Sequence, residues 1–102
     1  MFILGVTSCP VGIAHTYMAA SNLEKCAKKR GLEIKIETQG ATGVENEITK
    51  EDIARADGVI VASDVRIKNS GRFDALPTLT VGVSEAIKDA EGIIDELMEA
   101  LG

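Results

Sequence analysis

The residues with the most chemical capacity stand together near the start of the chain, in "CPVGIAHT", residues 9–16. Cys9 follows a short apolar run, "FILGV", and precedes a segment from about residue 14 to residue 30 in which Ala20, Leu23 and Ala27 share a helical face. In a strand, loop, helix unit the free N–H groups of the loop and of the first helical turn converge on one spot, with about half a positive charge of helix dipole behind them. That spot favours an anion. It favours a thiolate over a thiol whose ordinary pKa is about 8.5, and a phosphoryl group carried on the sulfur would meet the same donors. The candidate phosphate-binding loop is Pro10, Val11, Gly12, Ile13, Ala14, His15 and Thr16. Within it Pro10 has no N–H to give, Gly12 permits a turn that a side chain would block, and Thr16 adds a hydroxyl. By position alone, Cys9 is equally well read as a small buried hydrophobe at a strand end. The set of residues around it tips the reading toward chemistry.

The elements that would position this loop are legible as pattern. "FILGV" and "GVIVA" (residues 58–62) are continuous apolar runs rich in β-branched residues, as expected of central strands covered on both faces. "LEIKIET" alternates, with Leu32, Ile34 and Ile36 on one side and Glu33, Lys35 and Glu37 on the other, which predicts an edge strand with a face in water. "LTVGV" (residues 79–83) is a fourth strand candidate, weakened by Gly82. The first helix carries Lys28, Lys29 and Arg30 in its last turn and Gly31 just beyond. "TKEDIARAD" opens on Thr49 as a candidate N-cap, and "SEAIKDAEGIIDELMEAL" is helical with a bend or break expected near Asp89 and Gly92. Alternating strands and helices joined by right-handed crossovers give an open parallel α/β sheet of four strands with helices on both faces. Ligands of such sheets bind beyond the carboxyl ends of central strands, where Cys9 falls.

Composition narrows the function classes. At 102 residues the chain reads as one domain, residues 1–102. Eleven Lys and Arg against 16 Asp and Glu give a net charge of -5, the wrong sign for a protein that binds nucleic acid by neutralising phosphates. Two cysteines and one histidine make neither a disulfide framework nor a zinc-ligand spacing, so no metal and no cofactor are expected, and reduced thiols fit a cytoplasmic protein. No apolar run approaches the roughly 18 residues of a membrane span, so direct membrane insertion is not expected.

"CPVGIAHTYMAASNLEKCAKKRG", then "IKIETQGATGVENEITKEDIARADGVIVASD" and "RF", is similar to the fructose-class IIB domain of the bacterial phosphoenolpyruvate-dependent sugar phosphotransferase system. The resemblance implies a four-stranded parallel sheet in a Rossmann-like three-layer sandwich. It also implies a phosphoryl relay. A histidine-phosphorylated IIA domain would pass its phosphoryl group to Cys9, which would hand it to a sugar, fructose by the family's class, bound in the membrane-embedded IIC domain. The protein would then work in the cytoplasm, at the inner face of the membrane when associated with IIC.

Other residues carry open alternatives. His15, which the family motif also has, either donates to the phosphoryl group or satisfies a neighbouring backbone group at the helix start. Gln39 and Gly40, in the glycine-rich "TQGATGVEN", either shape a partner-docking surface or simply turn a surface loop. Arg66 and Arg72 follow the third strand and are candidate contacts for phosphate or an acidic partner, a role exposed arginines usually lack. Asp64 serves equally as a turn cap, and Cys26, one turn past Leu23, reads as packing. The rival enzyme is a cysteine-dependent phosphatase, whose loop commonly places an arginine where this chain has His15. The non-catalytic rival is a docking module that uses the same fold.

Overall fold

The computed structural model describes residues 1–8, 13–40, 43–67 and 70–101. Cys9, Pro10, Val11 and Gly12 lie outside the described residues, and Ile13 and Ala14 are described as helical backbone only. In chain order the elements are β1 (Phe2–Ser8), α1 (Ile13–Lys29), β2 (Glu33–Gly40), β3 (Gly43–Glu45), α2 (Lys50–Arg55), β4 (Gly58–Ser63), a 3-10 turn (Ser70–Phe73), β5 (Thr78–Val81), α3 (Val83–Lys88) and α4 (Ala90–Leu101). The sheet order is β3-β2-β1-β4-β5. β2, β1, β4 and β5 run parallel and β3 pairs antiparallel with β2.

All seven residues of β1 are buried, as its unbroken apolar run requires. Ile3 of β1 faces a cluster in which Ala19, Leu23 and Ala27 of α1 meet Val83 and Ala86 of α3 and Ile94 and Leu97 of α4. Phe2, Leu4 and Val6 face the opposite way, toward Val59, Val61, Ile48, Ile67 and Phe73, with Ile53 of α2 at the margin. Helices therefore cover both faces, and the expected three layers are present. The buried stripe of α1 is Ala19, Leu23 and Ala27, so the expected face is corrected at one position, where Ala20 lies on the flank.

The helix ends follow local chemistry. At the end of α1, Gly31 adopts φ +73°, and the Leu32 and Gly31 N–H groups donate to the Ala27 and Lys28 carbonyls at 2.9 and 3.0 Å, a Schellman cap. Thr49 caps α2 in a reciprocal box with Asp52, at 3.1 and 3.0 Å. The expected break falls at Asp89, whose carboxylate accepts from the Gly92 N–H at 3.1 Å and so starts α4. A Cβ on Gly92 would lie 2.3 Å from that carboxylate, which is why a glycine sits inside the first turn.

The fourth strand, expected over residues 79–83, ends at Val81, because Gly82 stands at the N-cap of α3 and Val83 opens it. Two larger expectations need correction. The sheet has five strands and is mixed, because β3 pairs antiparallel with β2, with Gly40 opposite Gly43 and Gln39 opposite Val44. The three residues of β3 are all exposed, so no burial period marked them as a strand. As a result β3, and not the end of β2, forms the sheet edge. The second correction concerns the water-facing side assigned to β2, from which Glu37 is fully withdrawn.

Candidate functional site

Three parallel strands end side by side: Ser8 of β1 is in register with Gln39 of β2 and with Ser63 of β4. The chain leaves β1 toward β2 on one side, then crosses to β4 on the other. The switch point of the sheet is therefore the carboxyl end of β1, the place where open α/β sheets bind ligands. Cys9 is the next residue in the chain after Ser8.

The described residues flanking this point supply polar groups. Thr7 and Thr16 are buried, and their Oγ1 atoms have no hydrogen-bond partner among the described residues. Buried hydroxyls are ordinarily satisfied, so two orphans bracketing residues 9–12 are donors without an assigned acceptor. His15, in the first turn of α1, is exposed. The α1 N-terminus also meets the expected need for free N–H groups at a helix start.

Behind the strand ends lies a buried ion pair. Glu37 of β2 is 1% exposed, and its carboxylate receives Arg72 Nη1 at 2.9 Å on Oε1 and Arg72 Nη2 at 2.5 Å on Oε2. Oε1 also accepts from the Ile48 N–H at 2.9 Å, and Oε2 from Gln39 Nε2 at 2.7 Å. The Arg72 side chain is 18% exposed, lies over the Phe73 ring at 4.6 Å and reaches the Ile48 carbonyl at 3.4 Å. Burial pushes the Glu37 carboxyl up. The hydrogen bonds from Arg72, Gln39 and Ile48 more than reverse this and hold it below its ordinary value. Arg72 and Gln39, both singled out from sequence, are thus brought together around a carboxylate that strand alternation assigned to solvent. The partner arginine lies 35 residues further on, beyond the reach of any local pattern. The signal available in the sequence was the pairing of "ETQG" with a later "RF".

Gly40 closes β2 opposite Gly43. Asp64, at the end of β4, accepts from the Val83 N–H at 3.2 Å and caps α3, where Gly82 has no side chain to do so. Arg66 is exposed, and Cys26 is half-buried against the α1 core cluster. Large apolar side chains are exposed beside the strand ends: Tyr17 at 41% and Met18 at 49% on α1, and Val44 at 42% on β3. Tyr17 donates its hydroxyl to Glu45 Oε1 at 2.6 Å, tying α1 to the hairpin. Among the described residues no helix is long and apolar enough to cross a membrane.

The family model described as "PTS system, Lactose/Cellobiose specific IIB subunit" matches residues 4–96. Over 95 residues the chain is 50% identical to the "PTS system fructose-like EIIB component 2" of Escherichia coli K12, covering 93% of this chain and 90% of that one. Among solved structures it resembles a domain of the fructose-specific IIABC component of Borrelia burgdorferi, with a TM-score of 0.92 and 45% identity over 96% of this chain and 93% of that one. The fold alone is shared more distantly with the arginine phosphatase YwlE, with a TM-score of 0.54 and 13% identity over 99% and 95% of the two chains. Architecture does not separate a carrier from a phosphatase. Identity across nearly the whole length does, and it shows that the chain belongs to the IIB family of the phosphotransferase system, among its fructose-like members.

Proposed function

We propose that Cys9 carries a phosphoryl group from a histidine-phosphorylated IIA donor to a sugar held by a membrane-embedded IIC partner, and that residues 1–102 form the single IIB domain that does so. The observation that carries this reading is the shared end of β1, β2 and β4, with α1 beginning at Ile13, only five residues after Ser8. In the first step the Cys9 thiolate attacks phosphorus. The S–P bond forms as the N–P bond of the donor breaks, and the donor imidazole keeps the proton on its other nitrogen and leaves neutral. In the second step a sugar hydroxyl oxygen bonds to phosphorus as the S–P bond breaks. The thiolate is restored, and the hydroxyl proton passes to a base of the sugar-binding partner.

Residues 11–16 hold the phosphoryl oxygens through backbone N–H groups and the Thr16 hydroxyl, with Pro10 shaping the loop without donating and His15 at the rim. Thr7 and Thr16, buried without an acceptor among the described residues, support a loop built to meet oxygens that arrive with the ligand. Tyr17, Met18 and Val44 form the apolar part of the docking surface, and Gln39 and Gly40 set the hairpin beside it. Arg72 lies behind that surface, engaged by the Glu37 carboxylate. The names of the relatives support a fructose-class sugar, and a donor and acceptor at the inner membrane face put the work in the cytoplasm. The test is to phosphorylate the protein with phospho-IIA and follow its intact mass with and without IIC membranes and sugar. The wild type should gain one phosphate that persists until sugar and IIC are added, whereas Cys9→Ser should transfer nothing to sugar and Cys26→Ala should behave as wild type. Rapid loss to water, together with turnover of an aryl phosphate, would replace the carrier with the phosphatase.

A further inference from the structure

A buried ion pair is weak evidence of stabilisation, because an apolar pair of similar volume commonly serves a fold as well or better. The Glu37–Arg72 pair therefore asks for a role beyond holding the chain together. Its geometry offers one. The Glu37 carboxylate collects donors from three separate segments: Arg72 from the 3-10 turn, the Ile48 N–H from the approach to α2, and Gln39 from the last turn of pairing on β2. All three segments converge on the carboxyl edge of the sheet. Gln39 is the ladder neighbour of Ser8, which directly precedes Cys9, and Glu37 is the ladder neighbour of Val6. The cluster thus braces the strand that lies beside the nucleophile's own strand at the same level. The planar guanidinium engages both carboxylate oxygens and is pressed over Phe73, so the pair has essentially one arrangement.

We propose that Glu37 and Arg72 are positioning residues for phosphoryl transfer, fixing the carboxyl end of β2, and through it the start of the Cys9 loop, in the alignment that in-line attack requires. The inference rests on the reading of Cys9 as the acceptor. Displacements of about 1 Å from a reactive alignment lower rates by up to roughly a hundredfold, so a rigid brace of this kind has a kinetic consequence separable from its effect on folding.

The test uses single-turnover transfer from phospho-IIA, read as intact mass against donor concentration, together with thermal melts. Glu37→Gln alone and Arg72→Gln alone should each lower the melting temperature, since each leaves one buried group unmatched. The double variant E37Q/R72Q removes both charges and should recover most of the lost melting temperature. Its maximal transfer rate should stay down by about tenfold at unchanged donor KM, because paired amides lack the fork that fixes the alignment. Arg72→Lys keeps the charge without the fork and should fail to restore the rate. Glu37→Asp, which draws the carboxylate back by one methylene, is the variant least disturbing to the fold and should lower the maximal rate at unchanged KM. A folded double variant or Glu37→Asp protein with the wild-type maximal rate would overturn the positioning role. A wild-type protein that takes no phosphate on Cys9 would overturn the reading beneath it, an outcome visible in the control arm alone.

Discussion

On the α1 side of the sheet, Leu23, Ile94, Leu97 and a set of alanines meet Ile3, Ile36 and Ile60 in a closed apolar layer. On the α2 side, Leu4, Val6 and Val59 are covered by one six-residue helix, a 3-10 turn and connecting segments. That side also holds the Glu37–Arg72 pair, and it leaves a groove of about 440 Å³ lined by Val61, Val65, Ile67, Phe73 and Leu76 among others. One face is held by area and shape, the other by a few directional bonds among segments without extensive regular structure. Apolar packing is non-directional and yields in proportion to the volume removed. A buried charge network fails when any single partner goes, because the remaining charge is left desolvated. The face held by directional bonds is also the one whose segments meet β2 at Glu37, level with Val6 and two residues short of Ser8, where geometry matters more than bulk stability.

The largest expected effect follows from that contrast. Arg72→Met leaves the Glu37 carboxylate buried without its main partner and should destabilise the protein by about 3 to 5 kcal/mol, measured by urea unfolding. A loss below about 1 kcal/mol would mean that water enters and hydrates Glu37, and that the α2 side is looser than its hydrogen bonds indicate. Leu23→Ala on the opposite face should cost about 2 to 5 kcal/mol through transfer and cavity terms, with no change in the pH dependence of stability. The two substitutions share no partner, so their effects should add to within about 0.5 kcal/mol. A larger coupling would show that the two faces are not independent.

The same division explains which parts of the molecule were legible in the sequence. "FILGV" and "GVIVA" declare buried strands because both faces of β1 and β4 are covered, so every position is apolar. Thr49, Gly31 and the Asp89–Gly92 break were readable because caps are decided within four or five residues. Apart from the Thr49 cap of α2, these signals lie in the sheet core and on the α1 side, which is almost entirely local pattern. The α2 side is not. Glu37 alternates with Ile36 like any solvent-facing residue, and its withdrawal from water is decided by Arg72, far along the chain. The β3 hairpin was missed for the complementary reason, since three exposed residues carry no period. Of the candidate site, the place of Cys9 in the chain directly after β1 follows from the strand pattern, whereas the buried ion pair on β2 depends on tertiary contact.

The orphan hydroxyls sharpen the comparison from the α1 side. Thr16→Val is nearly isosteric and removes a buried donor that has no partner among the described residues, so the fold should lose little. If that hydroxyl donates to the phosphoryl group only during transfer, its loss is worth about 1.5 to 3 kcal/mol, or roughly one to two decades in the single-turnover rate. Unchanged stability with a slowed transfer would set Thr16 apart from its neighbours Ala19 and Leu23, whose loss is felt in folding. An unchanged rate would make it packing like them.

The smallest effect concerns acid, and it belongs to the α2 side alone. Asp52 accepts from Lys35 Nζ at 2.5 Å and from the Thr49 N–H at 3.0 Å, and these bonds, led by that from Lys35, lower its pKa from 3.8 to about 2. The Glu37 carboxyl is likewise held below its ordinary 4.5. Both carboxyls bind protons more weakly folded than unfolded. Their contribution is therefore fully present above the unfolded values and is lost as pH falls through them toward about 2. Stability should decline steadily in that window. Asp52→Asn should flatten its lower part and leave the neutral-pH melting temperature slightly reduced, because the amide can still accept one hydrogen bond at the helix start. Leu23→Ala should shift the whole curve down without changing its slope. An acid decline just as steep in Asp52→Asn would place the titrating groups elsewhere, whereas a flattened one would show that the directional bonds of the α2 side, and not the apolar layer opposite, set the pH range of the fold.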